Sequence, residues 1–270
     1  MILNLLEDYD VASLGHNSAE AIHLFAEAKK LVWADRNTYV ADADANTLPT
    51  SSLISKSYAS SRRALIDPTR AATTVTPGKP FEHSETVYLT VVDKDRNAIS
   101  LIESIFGPFG SKVVPGDLGF ALQNRGAGFS LEQGHLNSLE PHKRSLHTNM
   151  QGFVTKDGKP FMPFGVMGGP MQPQGHWQVL SNIIDFGMNL QEAGDAARVR
   201  HSPSQSPGGT LAVEPGVSDE VIAELRRRGH HVERQGGGGM GGYQAIMINP
   251  ETGMLHGGTD PRKDGQVVGY

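Results

Sequence analysis

Two runs of β-branched and alternating apolar residues stand out near the middle of the chain. The run TVYLTVVD begins at Thr86, and a polar turn over residues 93–97 separates it from a second run, AISLIESI. β-Branched and aromatic residues favour strands, and a short polar turn between two such runs is typical of a β-hairpin. The pattern therefore predicts a hairpin whose first strand begins with a threonine.

The segment ahead of that threonine has no apolar periodicity. Residues 73–85, TTVTPGKPFEHSE, contain two prolines and a glycine, a composition that predicts an exposed and strained connection. A hydroxyl is a weak nucleophile at neutral pH, but a threonine that becomes N-terminal gains its own α-amine as a general base. A cleavable linker directly before Thr86 therefore suggests an activated threonine.

Helical periodicity predicts an amphipathic helix over residues 17–33. Asn17 and Glu20 have the spacing of a capping box, and the apolar residues that follow lie on one face. Ser218 and Gly229 are placed to start and stop another helix. The remaining predicted helices cover residues 53–66, 175–186 and 190–199.

The other predicted strands form hairpins. Residues 153–166 contain two apolar runs around Asp157-Gly158, residues 242–260 contain two more around an Asn249–Gly253 turn, and a short strand is predicted to begin at Gly119. Hairpins, then helices, then a closing hairpin predict an α+β fold in which helices cover antiparallel sheets.

Composition excludes several classes of function. The 270-residue chain has a formal net charge of −5 and no cysteine, so it lacks a basic nucleic-acid footprint, a disulfide framework and a thiolate nucleophile. Its histidines show no HExxH spacing, so the sequence supports no metal site, and we expect His230 and His231 to be solvated after a helix. The first residues, MILNLLEDYD, lack the features of a signal peptide or membrane span, which predicts a soluble protein, and the choice between cytoplasm and periplasm is left open.

Several separate motifs, in the same order along the chain, resemble the γ-glutamyltranspeptidase family. They are SETVYLTVVDKDRNAIS, PHKRSLHTNM, FGVMGGPMQPQGH, LSNIIDFGMNLQEAGDAARVRH and GGTDPRKDGQVVGY. These proteins are N-terminal-nucleophile (Ntn) hydrolases, made as precursors that cut themselves before a threonine. The resemblance implies a four-layer αββα sandwich that is incomplete at the N-terminus. It also implies that residues 1–85 are the tail of a large subunit with the processing linker, and that residues 86–270 are the small catalytic subunit, whose partner is the missing part of the large subunit.

The resemblance also assigns catalytic roles. It implies cleavage between Glu85 and Thr86, Thr86 as the nucleophile, Ser104 as a second hydroxyl bonded to the nucleophile, and Gly168 and Gly169 as the oxyanion hole. No cofactor is required. Simpler interpretations remain open from the residues alone: a strand-edge threonine, an inward polar serine and a tight glycine turn.

The residues that differ from the family pattern concern substrate recognition. Phe106, Arg125, Gly128, His147 and Thr148 stand where the family has an Asn, a Gln, an Asp and a Ser-Ser pair that read the γ-glutamyl amine and carboxylate. The amine-binding carboxylate is lost, and a guanidinium suits a planar carboxylate, although Arg125 could equally be a surface charge. These replacements resemble the branch that contains glutaryl-cephalosporin acylases and oxamate amidohydrolase.

The sequence therefore predicts an Ntn amidohydrolase or acyltransferase that cleaves a γ-glutamyl, glutaryl or similar amide through an acyl-Thr86 intermediate. Its expected substrate is a small glutathione-like or carboxylate-bearing acyl donor, with no nucleic-acid or membrane partner. The alternative is a non-catalytic or unprocessed scaffold or binding homologue. The acyl group, the acceptor and the oligomeric state are left open.

Overall fold

The structure, a computed structural model, describes residues 1–75 and 85–270. Most of the predicted linker, residues 76–84, lies outside the described residues. The helices are α1 (Ile2–Leu6), α2 (Val11–Leu14), α3 (Ala19–Tyr39), α4 (Thr50–Leu53), α5 (Lys56–Arg63), α6 (Met171–Ile184), α7 (Leu190–Asp195) and α8 (Asp219–Arg227). The strands are β1 (Glu85–Val92), β2 (Ala98–Phe106), β3 (Gly152–Lys156), β4 (Lys159–Met167), β5 (Val199–Ser202), β6 (Thr210–Val213), β7 (His231–Arg234), β8 (Gly242–Ile248) and β9 (Leu255–Thr259).

These elements form two compact units, each assembled from separate stretches of chain. The first unit comprises Met1–Phe81, Arg125–His147 and Val199–Arg234, and the second comprises Glu82–Asn124, Thr148–Arg198 and Gln235–Tyr270. The predicted division between residues 85 and 86 concerns chain processing, follows different boundaries and stays a prediction.

Two stacked sheets and a pair of helices build the second unit. Strands β1 and β2 form an antiparallel pair, and the order β3-β4-β8-β9 forms an antiparallel sheet of four strands. The ring of Tyr88 lies over Gly165, where a Cβ would come within 2.5 Å of it. On the opposite face of β4, Val166 packs against Gly175 of α6. The four-stranded sheet therefore lies between the β1–β2 pair and the helices α6 and α7.

The core of the second unit lies between the four-stranded sheet and these helices. It consists of Met162, Phe164, Val166, Val179, Leu180, Leu190, Ala193, Tyr243 and Ala245. A fully buried ion pair joins Arg198 to Asp260 at 2.6 Å, and Asp260 also accepts a hydrogen bond from the Tyr243 amide. Asp260 thus ties β8 to the segment after β9.

The first unit is built around α3, which contacts α1, α2, α8 and β5. Its small sheet has the order β5-β6-β7, antiparallel between β5 and β6 and parallel between β6 and β7. Helix α8 connects the two parallel strands. Within the described residues, no helix is both long and apolar enough to cross a membrane.

The structure confirms all three predicted hairpins and the helix after Ser218, whose side chain accepts the Val221 amide. It corrects the predicted helix over residues 17–33. Ser18, not Asn17, caps α3, because Asn17 has a positive φ of 53° and the Ser18 hydroxyl accepts the Ala21 amide. The helix continues to Tyr39 and is buried around most of its circumference rather than on one face.

Other boundaries also differ from the predictions. Helix α6 begins at Met171 instead of residue 175, since Pro173 lies in the first turn, where proline needs no hydrogen-bond donor. The strand predicted from Gly119 is wrong; a loop and a 3₁₀ turn at Arg125–Gly128 occupy that stretch. Helix α7 ends at Asp195, and strands β5, β6 and β7 were not predicted.

Candidate active site

Thr86 lies at an irregular point in the β1–β2 ladder. Glu85 pairs with Phe106 and Val87 pairs with Glu103, so β2 has one residue more than β1 in this interval. The extra residue forms a bulge, and Thr86 lies opposite the stretch that contains Ser104. Bulges of this kind are over-represented beside active sites, where they redirect a side chain.

The end of β2 beyond Ser104 has an unusual backbone. The Phe106 amide donates to the Ser104 hydroxyl at 3.0 Å, and Phe106 has a φ of +76°, which is uncommon for a bulky residue. The next amide, that of Gly107, donates to Asn124 Oδ1 at 2.8 Å, and the Asn124 amide donates to the Ile105 carbonyl at 3.1 Å. These bonds hold the strand end in a conformation that the sheet alone does not supply.

Tyr88 and Ser100 fix the β1–β2 pair on the larger sheet. The Tyr88 hydroxyl lies 2.7 Å from Ser100 Oγ, and Ser100 Oγ donates to the Gly152 carbonyl at 2.8 Å. Burial raises the pKa of Tyr88, so the phenol stays protonated at neutral pH. These hydrogen bonds fix strand β1 on the larger sheet, and Thr86 lies in the same strand two residues before Tyr88.

Gly168 and Gly169 form the turn from β4 into α6. Their φ angles are +119° and +57°, and a Cβ on Gly168 would lie 2.9 Å from the Gly241 Cα. The carbonyls of both glycines accept the first amides of α6, from Met171 and Gln172. The turn therefore lies at the positive end of a helix dipole, a position that stabilises negative charge.

Arg125 and His147 belong to the first unit, whereas Thr86, Ser104, Phe106, Thr148, Gly168 and Gly169 belong to the second. Only 7% of the Arg125 surface is exposed, so its interpretation as a surface charge is wrong. Burial, Arg125 and Arg144 together lower the pKa of His147, which keeps this imidazole neutral near pH 7.

Asn137 organises the loop that carries Arg125. Its Nδ2 donates to the Gly128 carbonyl at 2.5 Å, and its Oδ1 accepts the Leu146 amide at 2.9 Å. Ser145 adds a hydrogen bond from its hydroxyl to the Arg125 carbonyl at 3.0 Å. The loop at residues 125–128 and the segment before His147 are thus one connected structure, a link that sequence reasoning missed because an asparagine at residue 137 has no distinguishing local pattern.

Outside these residues, the first unit contains a buried polar group that the sequence analysis missed. His23, Glu27 and His230 offer ligand atoms that lie within 4.8 Å of one another, a spacing that a divalent metal ion can use. His23 Nε2 donates to the Asp67 carbonyl and its Nδ1 lies 2.8 Å from His230 Nε2. His230 was expected to be solvated and is 6% exposed instead. Burial and the nearby Lys30 lower its pKa to about 3. The i, i+4 spacing of His23 and Glu27 was the available signal.

The same group holds the chain segment that leads toward the linker. Lys30 and Glu27 form a buried ion pair at 2.7 Å. Lys30 also donates to the Ala72 carbonyl at 2.9 Å, and Glu27 accepts the Ala72 amide at 3.1 Å. With the bond from His23 to Asp67, three polar residues of α3 contact the backbone of residues 67–72.

A second set of contacts reaches the same segment from the end of α8. The Ala71 amide donates to the Arg228 carbonyl at 2.7 Å, and the Arg228 guanidinium donates to the Pro68 carbonyl at 3.1 Å. Gly208, with a φ of +76°, approaches so closely that a Cβ there would lie 2.6 Å from the Ala72 carbonyl oxygen. Residues 67–72 are therefore fixed in the first unit through their main chain.

Comparison with known proteins agrees with this architecture. The sequence model of the gamma-glutamyltranspeptidase family matches residues 1–270. The chain belongs to this family. It is 38% identical to the glutathione hydrolase-like YwrD proenzyme of Bacillus subtilis, covering 100% of the chain and 51% of that protein. It is 36% identical to the acylase ACY 1 proenzyme of Pseudomonas sp., covering 99% of the chain and 47% of that protein.

Among solved structures, the cephalosporin acylase of Bacillus halodurans superposes with a TM-score of 0.84 at 41% identity, covering 100% of the chain and 49% of the acylase chain. The chain thus has the α+β fold of the Ntn hydrolases, as predicted, and the predicted relation to acylases and oxamate amidohydrolase is confirmed by its relatives. The chain spans about half the length of the curated relatives it matches.

Proposed function

We propose that this gamma-glutamyltranspeptidase family member is an amidohydrolase or acyltransferase in which Thr86 is the nucleophile. The observation that carries the proposal is the bulge that sets Thr86 opposite the Ser104 stretch at the start of β1. The glycine turn at the N-terminus of α6, in the same unit, supports it, since such a turn supplies amide donors suited to a developing oxyanion.

The proposed chemistry begins with cleavage of the Glu85–Thr86 bond, which frees the Thr86 α-amine. That amine accepts the hydroxyl proton while the Thr86 oxygen attacks the substrate carbonyl, and amides of Gly168 and Gly169 stabilise the oxyanion. The amine then returns the proton to the leaving amine. Water or an acceptor amine attacks the acyl-Thr86 ester and regenerates the free hydroxyl. In this scheme Ser104 supports the nucleophile's oxygen.

We further propose that the acyl donor ends in a carboxylate and needs no α-amine. Gly128 cannot pair with an ammonium group, whereas Arg125 is a guanidinium suited to a carboxylate. Phe106, His147 and Thr148 would complete the recognition of the acyl group. The name of a structural relative, cephalosporin acylase, supports an acylase activity.

The proposal includes a protein partner that supplies the remaining part of the large subunit. The β1–β2 pair turns one face to the four-stranded sheet, and its other face carries Val87, Leu89, Val91, Ile99 and Leu101, each between 45% and 58% exposed. This outer face is a contiguous aliphatic surface of the kind that marks an interaction site. The chain covers only about half of each relative, which supports the remaining half as the partner that covers this face.

The test uses the complete proenzyme, carrying the rest of the large subunit. N-terminal sequencing after incubation should give a small chain that begins at Thr86, and glutaryl anilide should release a burst of chromophore. Thr86→Ala should abolish both. We expect a higher kcat/KM for glutaryl than for γ-glutamyl anilide.

Each contrary result removes a different part of the proposal. A small chain beginning at another residue would remove the nucleophile assignment. A γ-glutamyl advantage would overturn the acyl preference alone. A correctly cleaved protein without a burst would favour the non-catalytic binding homologue.

A further inference from the structure

Gln172 connects two chain segments that the proposed function uses separately. It is the second residue of α6 and is fully buried, at 0% exposure. Its backbone amide donates to the Gly169 carbonyl at 3.0 Å, and its side-chain Oε1 accepts the Met150 amide at 2.9 Å. Met150 lies two residues after Thr148. One residue therefore contacts both the glycine turn and the segment that contains Thr148.

The nitrogen of the Gln172 side-chain amide makes no comparable hydrogen bond within the described residues. Within the described residues, Gln172 Nε2 is buried and has no hydrogen-bond partner, and the same is true of His176 Nε2 one turn later. Burying an unpaired amide destabilises a protein, so a methionine of similar shape would be preferred if this position served packing alone. Because a glutamine is present despite this destabilisation, we take its side-chain oxygen, which accepts the Met150 amide, to be the feature needed at this position.

Packing beside Gln172 limits how far the Met150 segment can move. The Phe164 ring packs against the His176 ring at an angle of 51°, with centroids 4.9 Å apart. A Cβ on Gly152 would lie 2.4 Å from the same Phe164 ring. The chain after Met150 is therefore pressed onto β4, while the hydrogen bond that the Met150 amide donates to Gln172 Oε1 fixes the position of the chain just before it.

We infer that Gln172 is a positioning residue that sets the Thr148–Met150 segment relative to the Gly168–Gly169 turn. The inference rests on the proposed function, in which Thr148 helps to recognise the acyl group and the glycine amides stabilise the oxyanion. Gln172 reaches the glycine turn through its backbone amide and the Met150 amide through its side-chain oxygen. Its removal should misplace the acyl group relative to the oxyanion donors, and a shift of about 1 Å can lower a rate about 100-fold.

The experiment compares Gln172→Met, which keeps the shape and removes the acceptor, with Gln172→Glu, which keeps an acceptor oxygen. Gln178→Met is the matched control, because Gln178 is a buried glutamine of the same helix whose amide donates to the Gln174 carbonyl. All are made in the complete processed enzyme and assayed with glutaryl anilide. The burst amplitude counts active sites, and kcat and KM are then expressed per counted site.

We expect Gln172→Met to lower kcat/KM per active site about 10- to 100-fold, with both a lower kcat and a higher KM. Gln172→Glu should recover at least a third of the loss on a logarithmic scale, and Gln178→Met should stay within about threefold of the wild type. A purely structural role would lower the burst amplitude and leave the rate per site unchanged, which would overturn the inference.

Failure of the inference and failure of the proposed function give different results. Active wild type with equally active Gln172→Met contradicts the positioning role alone, whereas correctly cleaved wild type without a burst removes the proposed function itself. If Gln172→Met does not fold, Gln172→Asn replaces it, because its shorter side chain withdraws the acceptor while remaining polar. Unchanged activity per site in Gln172→Asn would overturn the inference equally.

Discussion

Buried polar atoms, more than charged surface groups, distinguish this molecule at the scale of single residues. His176 illustrates the point. Its Nε2 is buried without a partner among the described residues, its ring lies against Phe164, and burial lowers its pKa to about 4. Protonation of this imidazole would place an unpaired positive charge in the protein interior, which destabilises the folded state.

The stability of the protein should therefore depend on His176 in mildly acidic solution. Its pKa is about 4 in the folded state and about 6.5 when unfolded. Between these values the unfolded state binds more protons, so the free energy of unfolding should fall as pH decreases from about 6.5 to about 4 and then level off. The shift sets a ceiling of about 3 kcal/mol, and partial exposure of the residue reduces the expected contribution to about 2 kcal/mol.

Urea unfolding of the wild type and of His176→Gln at several pH values measures this contribution. The difference in unfolding free energy between the two proteins cancels the other titrating groups and should change by about 2 kcal/mol across that range. Parallel pH profiles would show that His176 does not titrate as the structure requires.

At the scale of elements, local patterns predicted what local interactions determine. The hairpins around Asp157-Gly158 and Asn249–Gly253, and the helix after Ser218, follow from turn and cap residues that act over a few positions. The nature of α3 could not be predicted in the same way. His23, Glu27 and Lys30 are polar positions in the sequence, and contacts with residues distant along the chain, residues 67–72 and His230, make them interior.

The residues of the candidate site also differ in whether the sequence alone could identify them. Thr86, Ser104, Gly168 and Gly169 were identified from the resemblance of their motifs, and the structure adds that Thr86 lies opposite the β2 bulge that contains Ser104. Gln172 could not be identified from the sequence. A bond from its side chain to a backbone amide more than twenty positions away leaves no mark in any local pattern.

The contact between Gly208 and Ala72 offers a test at this scale. Gly208→Ala would require a left-handed backbone and place a methyl group 2.6 Å from the Ala72 carbonyl oxygen. A left-handed alanine alone costs about 1–2 kcal/mol, and displacement of the anchored segment should bring the total to about 3 kcal/mol. Urea unfolding should show this loss.

Gly187→Ala is the control for that variant. Gly187 has a φ of +66°, and a Cβ there would meet nothing within 4 Å. It should therefore show only the cost of the backbone, about 1–2 kcal/mol. Equal losses in the two variants would mean that the close approach to Ala72 contributes nothing.

At the scale of the whole molecule, the outer face of the β1–β2 pair matters for assembly with a partner chain. Leu89 and Leu101 are directly opposite each other in the ladder, and both are nearly half exposed. A stable protein–protein interface needs an apolar centre of this kind. In the proposed assembly, the remaining part of the large subunit covers it.

Leu89→Lys should weaken that assembly. A buried, unpaired ammonium at the centre of an interface typically costs several kcal/mol, so the apparent affinity of the two halves, expressed as separate chains, should fall at least about 100-fold. Leu131→Lys is the control, because Leu131 is 90% exposed and lies in the first unit. Unchanged association of the Leu89→Lys chain, measured by pull-down and sedimentation, would show that this face is not the interface.

The anchoring of residues 67–72 has a consequence for how this segment tolerates sequence change. The bonds from His23, Glu27, Lys30 and Arg228 end on carbonyl oxygens and amide nitrogens of the segment, not on its side chains. Every amino acid, proline included, carries the carbonyl oxygen, and all except proline carry the amide hydrogen that Ala71 and Ala72 donate, so the exposed positions of this segment can change without breaking these bonds. A mutational scan should therefore find that substitutions at the exposed positions of residues 67–72 are tolerated. Substitutions of His23, Glu27, Lys30 and Arg228, which bind the main chain of this segment, should not be tolerated.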